Sequence, residues 1–310
     1  MRALVLSNML ADSRHPERGQ FVRDQVRALD QLEDLDVTLY EFPPGARALG
    51  AAAAALRRRY RGERFHVVHS HFGLTAWPSL AVAARVHGLT LHGTDVSHPR
   101  TRLLTRAVLG RMDLVAGASE SVIELIPSRA ARRRAQVLPC GVDMQRFVVI
   151  PRQQARAALG LDPAGPYLLF AADPGRASKR YDRAQALAAD VPLLSLGGVA
   201  PEQVPLWINA ANAVLVPSER EGFGLAVLEA LACEVPVLAT PVGIHTSALA
   251  DLAGTLCAPF EIEQWRAALA IHLRADDPRV DGRPRVEAYS AGRLACHLAA
   301  AWRTLLATAG

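Results

Sequence analysis

Four cysteines, a single lysine and no long apolar run set the first limits on this 310-residue chain. The cysteines have no paired-ligand spacing, which argues against a zinc site or a disulfide framework and predicts buried free thiols. They are Cys140, Cys233, Cys257 and Cys296. No run reaches about 18 apolar residues, so no membrane-spanning helix is predicted. Met1–Leu6 is followed by no small-residue cleavage site, which favours a buried first strand over a signal peptide. We therefore expect a cytoplasmic protein.

Positive charge is concentrated in the first half of the chain. Residues 1–150 hold 21 basic and 14 acidic residues, whereas residues 151–310 hold 14 basic and 16 acidic residues. Two arginine clusters, Arg57–Arg61 and Arg132–Arg134, contribute to the excess. The inner face of a membrane is one partner that would suit such a charge, and a solvated arginine-rich surface is the alternative. Tyr60 is the only aromatic residue within the two clusters, which therefore lack the repeated aromatic residues of a nucleic-acid groove, and nucleic-acid binding is not expected.

Short apolar runs alternate with helical patterns along the whole chain. The runs that predict strands are Ala3–Leu6, Val37–Tyr40, Val67–His69, Leu89–Leu91, Leu114–Ala116, Val137–Leu138, Tyr167–Phe170, Leu193–Leu196, Ala213–Val216 and Val235–Ala239. Helices are predicted between them, for example at Phe21–Leu32 and Ser79–His87. Near-continuous apolar strands separated by helices indicate parallel sheets covered on both faces.

The pattern predicts an α/β chain with two doubly wound, Rossmann-like domains. We place the first domain at residues 1–148 and the second at residues 149–290. Residues 291–310 are predicted to form a C-terminal helix, for which a return to the first domain is one option. In open parallel sheets ligands bind beyond the carboxyl ends of the strands, so the loops at those ends are the places to look for function.

The most informative loop follows the strand Ala213–Val216 and leads into a helix. It contains Glu221, Gly222, Phe223 and Gly224, and Glu229 lies two turns after Glu221. The two glycines let backbone amides approach a ligand closely, and amides at a helix start suit a diphosphate. Glu221 would reach a sugar hydroxyl, and Glu229 would accept hydrogen bonds from a diol such as ribose. Two ordinary helix glutamates are the alternative.

This stretch resembles the retaining family 4 of nucleotide-sugar glycosyltransferases, bacterial type, whose two-domain architecture is called GT-B. The matching segments are Pro217–Glu229, Val68–Gly73, Leu91–Asp95 and Leu138–Phe147. The resemblance implies two domains facing across a cleft, donor binding in the second, acceptor binding mainly in the first, and no obligatory metal or cofactor. Glu221 would then contact the donor sugar and Glu229 the ribose, while the amides of Phe223 to Leu225 face sugar and phosphate.

Three further positions gain a role from the same resemblance. His92 corresponds to a cleft histidine that contacts the donor sugar, with a packing histidine as the alternative. Gly19 lies in a loop that approaches the phosphates, although it would also serve as the start of a helix. Val199, after Gly197 and Gly198, would lie near the base, and a double glycine is also an ordinary turn.

A basic pair, Arg176 and Lys179, follows the strand Tyr167–Phe170. Cations at a strand end can stabilise the charge that develops on a diphosphate leaving group. Lys179 is the only lysine in the chain, and a compact ammonium presents its charge differently from a guanidinium. A solvated loop cation is the alternative reading. The spacing of the pair is shorter than is usual in the family, so Arg180 is a substitute for Arg176.

Some features depart from the family pattern or suggest other chemistry. Only 20 positions separate Phe72 from His92, the strand Leu89–Leu91 is expected to be short, and Cys140 stands where the family usually has asparagine. His69 and His71 alternate near a strand end, but two histidines without a third ligand do not predict a metal site.

The function predicted is transfer of a hexose, with retention, from a UDP-, GDP- or ADP-sugar to an unknown hydroxyl acceptor. Surface polysaccharide or glycolipid synthesis is one setting for such a reaction. A nucleotide-sugar epimerase of the same fold and a non-catalytic sugar-nucleotide-binding subunit are the alternatives. A dehydrogenase is not expected, because no Gly-x-Gly-x-x-Gly motif follows the first strand.

Overall fold

The computed structural model describes residues 1–308, which divide into two compact units. Unit 1 consists of residues 1–12 and 18–141 together with the last helix, and unit 2 consists of residues 13–17 and 142–290. Each unit is built on one parallel sheet.

Unit 1 contains a six-stranded sheet in the order β2-β1-β3-β4-β5-β6. Its strands are β1 (Arg2–Ser7), β2 (Asp36–Glu41), β3 (Arg64–His71), β4 (Ala83–Leu91), β5 (Leu114–Gly117) and β6 (Gln136–Val137). Its helices from the first 141 residues are α1 (Gln20–Asp30), α2 (Ala46–Arg59), α3 (Ala76–Ser79), α4 (Thr94–Ser97), α5 (Pro99–Val108), α6 (Glu120–Glu124) and α7 (Arg129–Arg133). Short 3-10 turns lie at Gly73–Thr75 and Leu109–Arg111.

Unit 2 contains a five-stranded sheet in the order β11-β10-β9-β7-β8. Its strands are β7 (Leu168–Phe170), β8 (Leu193–Ser195), β9 (Ala213–Val216), β10 (Val237–Ala239) and β11 (Leu256–Cys257). Its helices are α8 (Arg152–Ala158), α9 (Tyr181–Ala188), α10 (Val204–Ala210), α11 (Leu225–Ala232), α12 (His245–Leu249), α13 (Ile262–Leu273) and α14 (Arg283–Glu287). A 3-10 turn at Ala177–Lys179 precedes α9.

The last helix, α15 (Ala291–Thr308), packs in unit 1 against α1. Its buried residues recur every three or four positions and include Ala295, Leu298 and Trp302, which join Val22 and Leu29 of α1 in one apolar cluster. Burying a leucine side chain contributes roughly 1.5–3 kcal/mol, so this contact is a substantial part of the core of unit 1.

The prediction of a helix at Ser79–His87 and of a short strand at Leu89–Leu91 was wrong. The helix ends at Ser79, and β4 begins at Ala83 and runs for nine residues. Alanine favours a helix locally, but this segment pairs in parallel with β3 from Arg64 to His71, and its carboxyl half also pairs with β5. Hydrogen bonds to two neighbouring strands outweigh a local propensity of a few tenths of a kcal/mol per residue.

The expectation of buried thiols holds for Cys140 and Cys233 only. Cys257 is half-buried and Cys296 is exposed, and all four thiols are free. Cys296 follows the buried Ala295 on α15, and one step of a helix turns the next side chain by about 100°, here toward solvent.

Candidate functional site

Three loops of unit 2 come together at the carboxyl end of its sheet. They follow β7, β9 and β10, which are neighbours in the parallel sheet. The loop after β9 ends at Gly224, from which α11 begins, and the loop after β7 contains the turn that ends at Lys179. This is the position at which parallel sheets usually bind ligands.

Lys179 and Glu221, from the first two of these loops, form a bidentate ion pair. The ammonium nitrogen of Lys179 lies 2.6 Å from each carboxylate oxygen of Glu221. The two side chains are only 12% and 8% exposed. Ser218 donates its hydroxyl to Oε1 of Glu221 at 2.7 Å. Burial raises the pKa of Glu221, but the charge of Lys179 and the hydrogen bonds from Lys179 and Ser218 outweigh it and hold that pKa below its usual value.

The start of α11 leaves several backbone donors without a partner. Among residues 1–308, the N–H groups of Phe223, Gly224 and Leu225 have no hydrogen-bond acceptor, whereas the carbonyl oxygen of Phe223 accepts the N–H of Ile244 at 2.7 Å. Such N–H groups at a helix start carry partial positive charge and are suited to an anion. The sequence-predicted donor-binding residues Gly222 to Leu225 therefore lie in one continuous turn beside Glu221.

Position 224 requires glycine for two reasons, its backbone conformation and the lack of space for a side chain. Its φ of +109° is one that residues with a side chain rarely adopt, and a Cβ there would lie 2.6 Å from Nε2 of His245. His245 is buried and its Nδ1 lies 2.8 Å from the carbonyl oxygen of Thr240. Burial lowers the pKa of His245, against an opposing effect of the Glu221 charge, so the ring is neutral near pH 7.

The two arginines considered with Lys179 do not join the ion pair. Arg176 is exposed, its backbone N–H donates to the Asp173 carbonyl at 3.1 Å, and its carbonyl accepts the N–H of Lys179 at 2.9 Å. Arg180, the substitute candidate, is held by Asp182 and Glu219 at 2.6 and 2.7 Å. The structure therefore brings Lys179 alone of the three cations to Glu221.

Two further predicted donor-binding residues lie in unit 2. Glu229 is half-buried in the middle of α11, about one turn after Leu225. Val199 is buried after β8, where its N–H donates to the Leu196 carbonyl at 3.2 Å and the preceding Gly198 has a φ of +75°. Both lie on elements that leave the carboxyl end of the sheet.

His92 lies in unit 1, directly after β4, and is paired with His71 from the end of β3. Nδ1 of His71 lies 2.9 Å from Nε2 of His92, with the ring centroids 5.2 Å apart and the ring planes inclined by 28°. Phe21 and Phe72 contact the His92 ring with centroid distances of 5.1 and 4.6 Å. Burial lowers the pKa of His92 to about 3 and that of His71 well below its usual value, so both rings are neutral at pH 7.

The hydrogen bond between two neutral imidazoles restricts their tautomers. Nε2 of His71 is buried and has no partner among the described residues. If His92 were the donor, His71 would carry a proton on that buried nitrogen, and an unpaired N–H is the costlier arrangement. We therefore assign the shared proton to Nδ1 of His71, which leaves His92 with its own proton on Nδ1.

His69, the other histidine of β3, belongs to the core. Its Nδ1 accepts a hydrogen bond from the indole N–H of Trp302 at 3.2 Å, and its Nε2 lies 2.9 Å from the hydroxyl of Thr90. The residues 1–308 contain no group of three or more His, Cys, Asp or Glu side chains arranged to hold a metal ion.

Asp95 organises the loop that carries His92. Its buried carboxylate accepts the backbone N–H groups of Gly73, His92 and Gly93 at 2.9 to 3.2 Å. Burial raises the pKa of Asp95, while these backbone hydrogen bonds act in the opposite direction. Asp95 thus fixes the backbone beside His92.

Gly19 begins α1 in unit 1 and has a clear structural role. Its φ is +73°, and a Cβ would lie 2.4 Å from the Met9 carbonyl oxygen. Its own carbonyl accepts the N–H groups of Val22 and Arg23. The structure therefore accounts for Gly19 as a helix start, and a phosphate-binding role stays a prediction.

Sequence reasoning missed three residues that complete these clusters. Ser218 and His245 surround Glu221, and His71 pairs with His92. His245 follows the carboxyl end of β10, a position that the rule for parallel sheets could have drawn attention to. Ser218 and His71 lie in the segments that carry the family resemblance, but spacing alone does not reveal which neighbour each side chain contacts.

Comparisons with known proteins agree with this architecture. The family model described as Glycosyltransferase Family 4 matches residues 11–146, and the model described as Glycosyl transferases group 1 matches residues 164–284. The chain is 30% identical over 292 residues to a D-inositol 3-phosphate glycosyltransferase from Frankia alni, covering 74% of this chain and 70% of that relative. Other relatives of the same name are covered over 62 to 74% of their length.

Solved structures with the same fold span almost the whole chain. A sucrose-phosphate synthase from Thermosynechococcus elongatus superposes with a TM-score of 0.75 at 20% identity, covering 99% of both chains. The Anabaena protein HepE in complex with UDP superposes with a TM-score of 0.66 at 14% identity, covering 98% of this chain and all of that one. Identities this low establish the fold alone.

Proposed function

Because this chain belongs to the family 4 glycosyltransferases and has the GT-B fold, we propose that it transfers a hexose from a nucleoside-diphosphate sugar to a hydroxyl acceptor. The configuration at the anomeric carbon is retained in this proposal. The donor binds to unit 2 and the acceptor mainly to unit 1. The chain needs no metal or other cofactor for this reaction.

The observation that supports the proposal most strongly is the ion pair between Lys179 and Glu221 beside the start of α11. Glu221 offers a carboxylate to sugar hydroxyls, while Lys179 and the N–H groups of Phe223, Gly224 and Leu225 offer positive charge to a diphosphate. A ligand that combines a sugar with a diphosphate can bind the carboxylate through its sugar hydroxyls and the positively charged groups through its phosphates. Glu229, farther along α11, is proposed to accept hydrogen bonds from the ribose.

The proposed reaction is a displacement on one face of the sugar. The acceptor oxygen forms a bond to the anomeric carbon as the bond to the diphosphate oxygen breaks, and the departing phosphate takes up the acceptor proton. Lys179 stabilises the negative charge that develops on the diphosphate, with Arg176 as a second, less direct cation. His92 is proposed to contact the donor sugar through its Nδ1–H.

UDP is the first nucleotide to test, because the similar protein HepE is described in complex with UDP. GDP and ADP are the other candidates. The inositol phosphate relatives suggest a polyol phosphate among the acceptors to try, and the positive charge of the first half suits an anionic acceptor. Polysaccharide or glycolipid synthesis in the cytoplasm, at the inner face of a membrane, is the proposed setting.

The test begins with thermal unfolding in the presence of UDP-, GDP- and ADP-sugars. A donor that binds the folded state raises the melting temperature by mass action, and we expect one nucleotide to do so far more than the others. Glu229→Ala should lose the shift, whereas Glu219→Ala, which removes an exposed carboxylate paired with Arg180, should keep it.

The second step uses the donor so identified with a panel of hydroxyl acceptors, and the anomeric configuration of the product is read by NMR. A product of inverted configuration would contradict the retaining reaction. An altered sugar still attached to its nucleotide would indicate an epimerase, and saturable binding with neither transfer nor hydrolysis would indicate a non-catalytic subunit.

A further inference from the structure

Three large apolar side chains are exposed on one face of unit 1. Leu103 and Leu104 of α5 are 68% and 47% exposed, and Trp77 of α3 is 37% exposed. The indole N–H of Trp77 donates to the carbonyl oxygen of Leu104 at 3.2 Å, so the three residues lie side by side. We call this group, together with the exposed arginines of α5, the α5 patch.

The arginines of α5 surround these apolar side chains. Arg100, Arg102 and Arg106 are exposed, and none of them has an ion pair with any residue from 1 to 308. The sequence between Asp95 and Asp113 contains no acidic residue. The α5 patch therefore combines apolar surface with positive charge that nothing nearby along the chain neutralises.

Helical geometry explains how both kinds of side chain share one surface. Thr105 and Val108 of α5 are buried, and Val108 packs with Leu91 and Val115 in the core of unit 1. Positions three and four apart lie on the same face of a helix, which places Arg100 with Leu103 and Leu104, and Arg102 with Arg106. The outer half of α5 thus presents leucines between cations.

The arginines of α2 have a different setting. Arg57, Arg58 and Arg59 are exposed, but Ala52 and Leu56 of the same helix are buried and α2 has no exposed large apolar side chain. Arg59 lies over the ring of Tyr60 at 5.3 Å. The sequence offers this cluster as one source of the positive charge that suits a membrane, but of the two helices only α5 combines exposed apolar and basic side chains.

We propose that the α5 patch docks onto an anionic phospholipid bilayer. Leu103, Leu104 and Trp77 enter the interfacial region, where leucine and tryptophan are favourable, while the three arginines remain at the level of the lipid phosphates. The described helices include none long and apolar enough to cross a membrane, so the contact is a peripheral one. The proposal does not depend on sugar transfer, because it concerns lipid binding alone.

The experiment measures binding of the full chain to phosphatidylglycerol-containing vesicles and to phosphatidylcholine vesicles by sedimentation. We expect binding to the anionic vesicles only, weakened by salt. The variant Arg100→Gln/Arg102→Gln/Arg106→Gln should bind roughly 100-fold more weakly, at about fivefold for each arginine. Leu103→Ser/Leu104→Ser should lose binding as well, although it keeps every charge.

The matched control, Arg57→Gln/Arg58→Gln/Arg59→Gln, removes the same charge from α2 and should bind almost as the unaltered chain does. Equal loss in the two arginine variants would overturn the proposal in favour of a diffuse electrostatic attraction. Lipids with brominated acyl chains should quench the fluorescence of the unaltered chain and not that of Trp77→Phe. Quenching that survives Trp77→Phe, or no sedimentation of the unaltered chain, would also overturn it.

Discussion

Lys179 holds both carboxylate oxygens of Glu221, although the two residues are 42 positions apart and come from loops after different strands. Because both side chains are almost fully buried, each charge depends on the other for its solvation. Removing one partner leaves a buried charge without compensation, whereas removing both leaves none.

Lys179→Met is therefore expected to lower the free energy of unfolding by about 3 kcal/mol at pH 7, and Glu221→Gln by a similar amount. The double variant should lose less than the sum of the two, since neither charge is then left alone. Urea unfolding of all four proteins measures the coupling. Simple additivity would show that the two residues do not stabilise each other.

Lys179→Ala should also impair donor binding and turnover, by several kcal/mol at most if the ammonium acts mainly in the transition state. The comparison is with Arg176→Ala, whose exposed guanidinium lies outside the pair and should matter less. The measurement is kcat/KM with the donor that thermal unfolding identifies. Unchanged kinetics for Lys179→Ala would remove this residue from the site.

The stability contributed by Glu221 should depend on pH in the acid range. Since its pKa is lowered in the folded protein, the folded state favours the ionised form, and that stabilisation is complete above the ordinary value of 4.5. It should be lost as the pH falls below 4.5 and through the folded pKa. Unfolding of the unaltered chain and of Glu221→Gln, followed from pH 7 to pH 3, should therefore show curves that converge at low pH. A constant difference would contradict the lowered pKa.

Glu229→Ala is expected to weaken binding of the free nucleoside diphosphate, even without a sugar attached. The physical reason is the loss of a carboxylate that accepts hydrogen bonds from the ribose hydroxyls. Isothermal titration with the nucleotide measures the effect, and Glu229→Gln, which keeps an acceptor oxygen, should lose less affinity. An unaffected affinity in Glu229→Ala would exclude the ribose role.

The histidine pair of unit 1 should make the protein less stable in mild acid. His92 has a pKa of about 3 in the folded state, so between that value and 6.5 the unfolded chain binds a proton that the folded chain does not. Stability is therefore complete above 6.5 and falls as the pH drops toward 3. The unfolding free energy of His92→Asn should fall less steeply between pH 7 and pH 5 than that of the unaltered chain. An unchanged slope in His92→Asn would contradict the lowered pKa of this ring.

Gly224→Ala should disturb the start of α11 and the donor site together. The added Cβ would meet His245 and would adopt an unfavourable φ, at a cost of roughly 1–3 kcal/mol. Gly50→Ala is the control, because Gly50 lies in α2 with open space around it, and alanine there should stabilise by up to about 1 kcal/mol. Thermal unfolding distinguishes the two, and a Gly224→Ala protein with normal stability and donor binding would contradict the close packing.

The sequence pattern predicted most of the segments that form strands, but it could not predict which strands pair. The strands around Leu4, Val68 and Val214 were found because buried parallel strands are apolar throughout. The segment 83–88 was not, since alanine and arginine favour a helix and only the pairing with β3, joined by β5 from Gly88, makes it a strand. Local preference and long-range pairing disagree there, and the pairing partner is not visible in a single sequence.

The residues of the candidate site also fall into two groups, those that the sequence identified and those that it did not. Residues on one continuous loop, from Glu221 to Leu225, were identified together because their spacing is local. The partners that come from other elements were not: His245 is the first residue of α12, after β10, and His71 pairs with His92 from the neighbouring strand. Contacts between separate elements depend on strand order and register, which periodicity does not encode.

The place of α15 in unit 1 has a consequence for synthesis of the chain. Trp302 and Leu298 belong to the same core as Val22 and Val67, yet about 150 residues that form unit 2 are translated between them. All the segments of unit 2 are therefore available before the core of unit 1 is complete. Unit 1 is therefore the first unit to begin synthesis and can be the last to finish folding. If a ribosome stalls within α15, the apolar surface of unit 1 that this helix covers stays exposed and can aggregate.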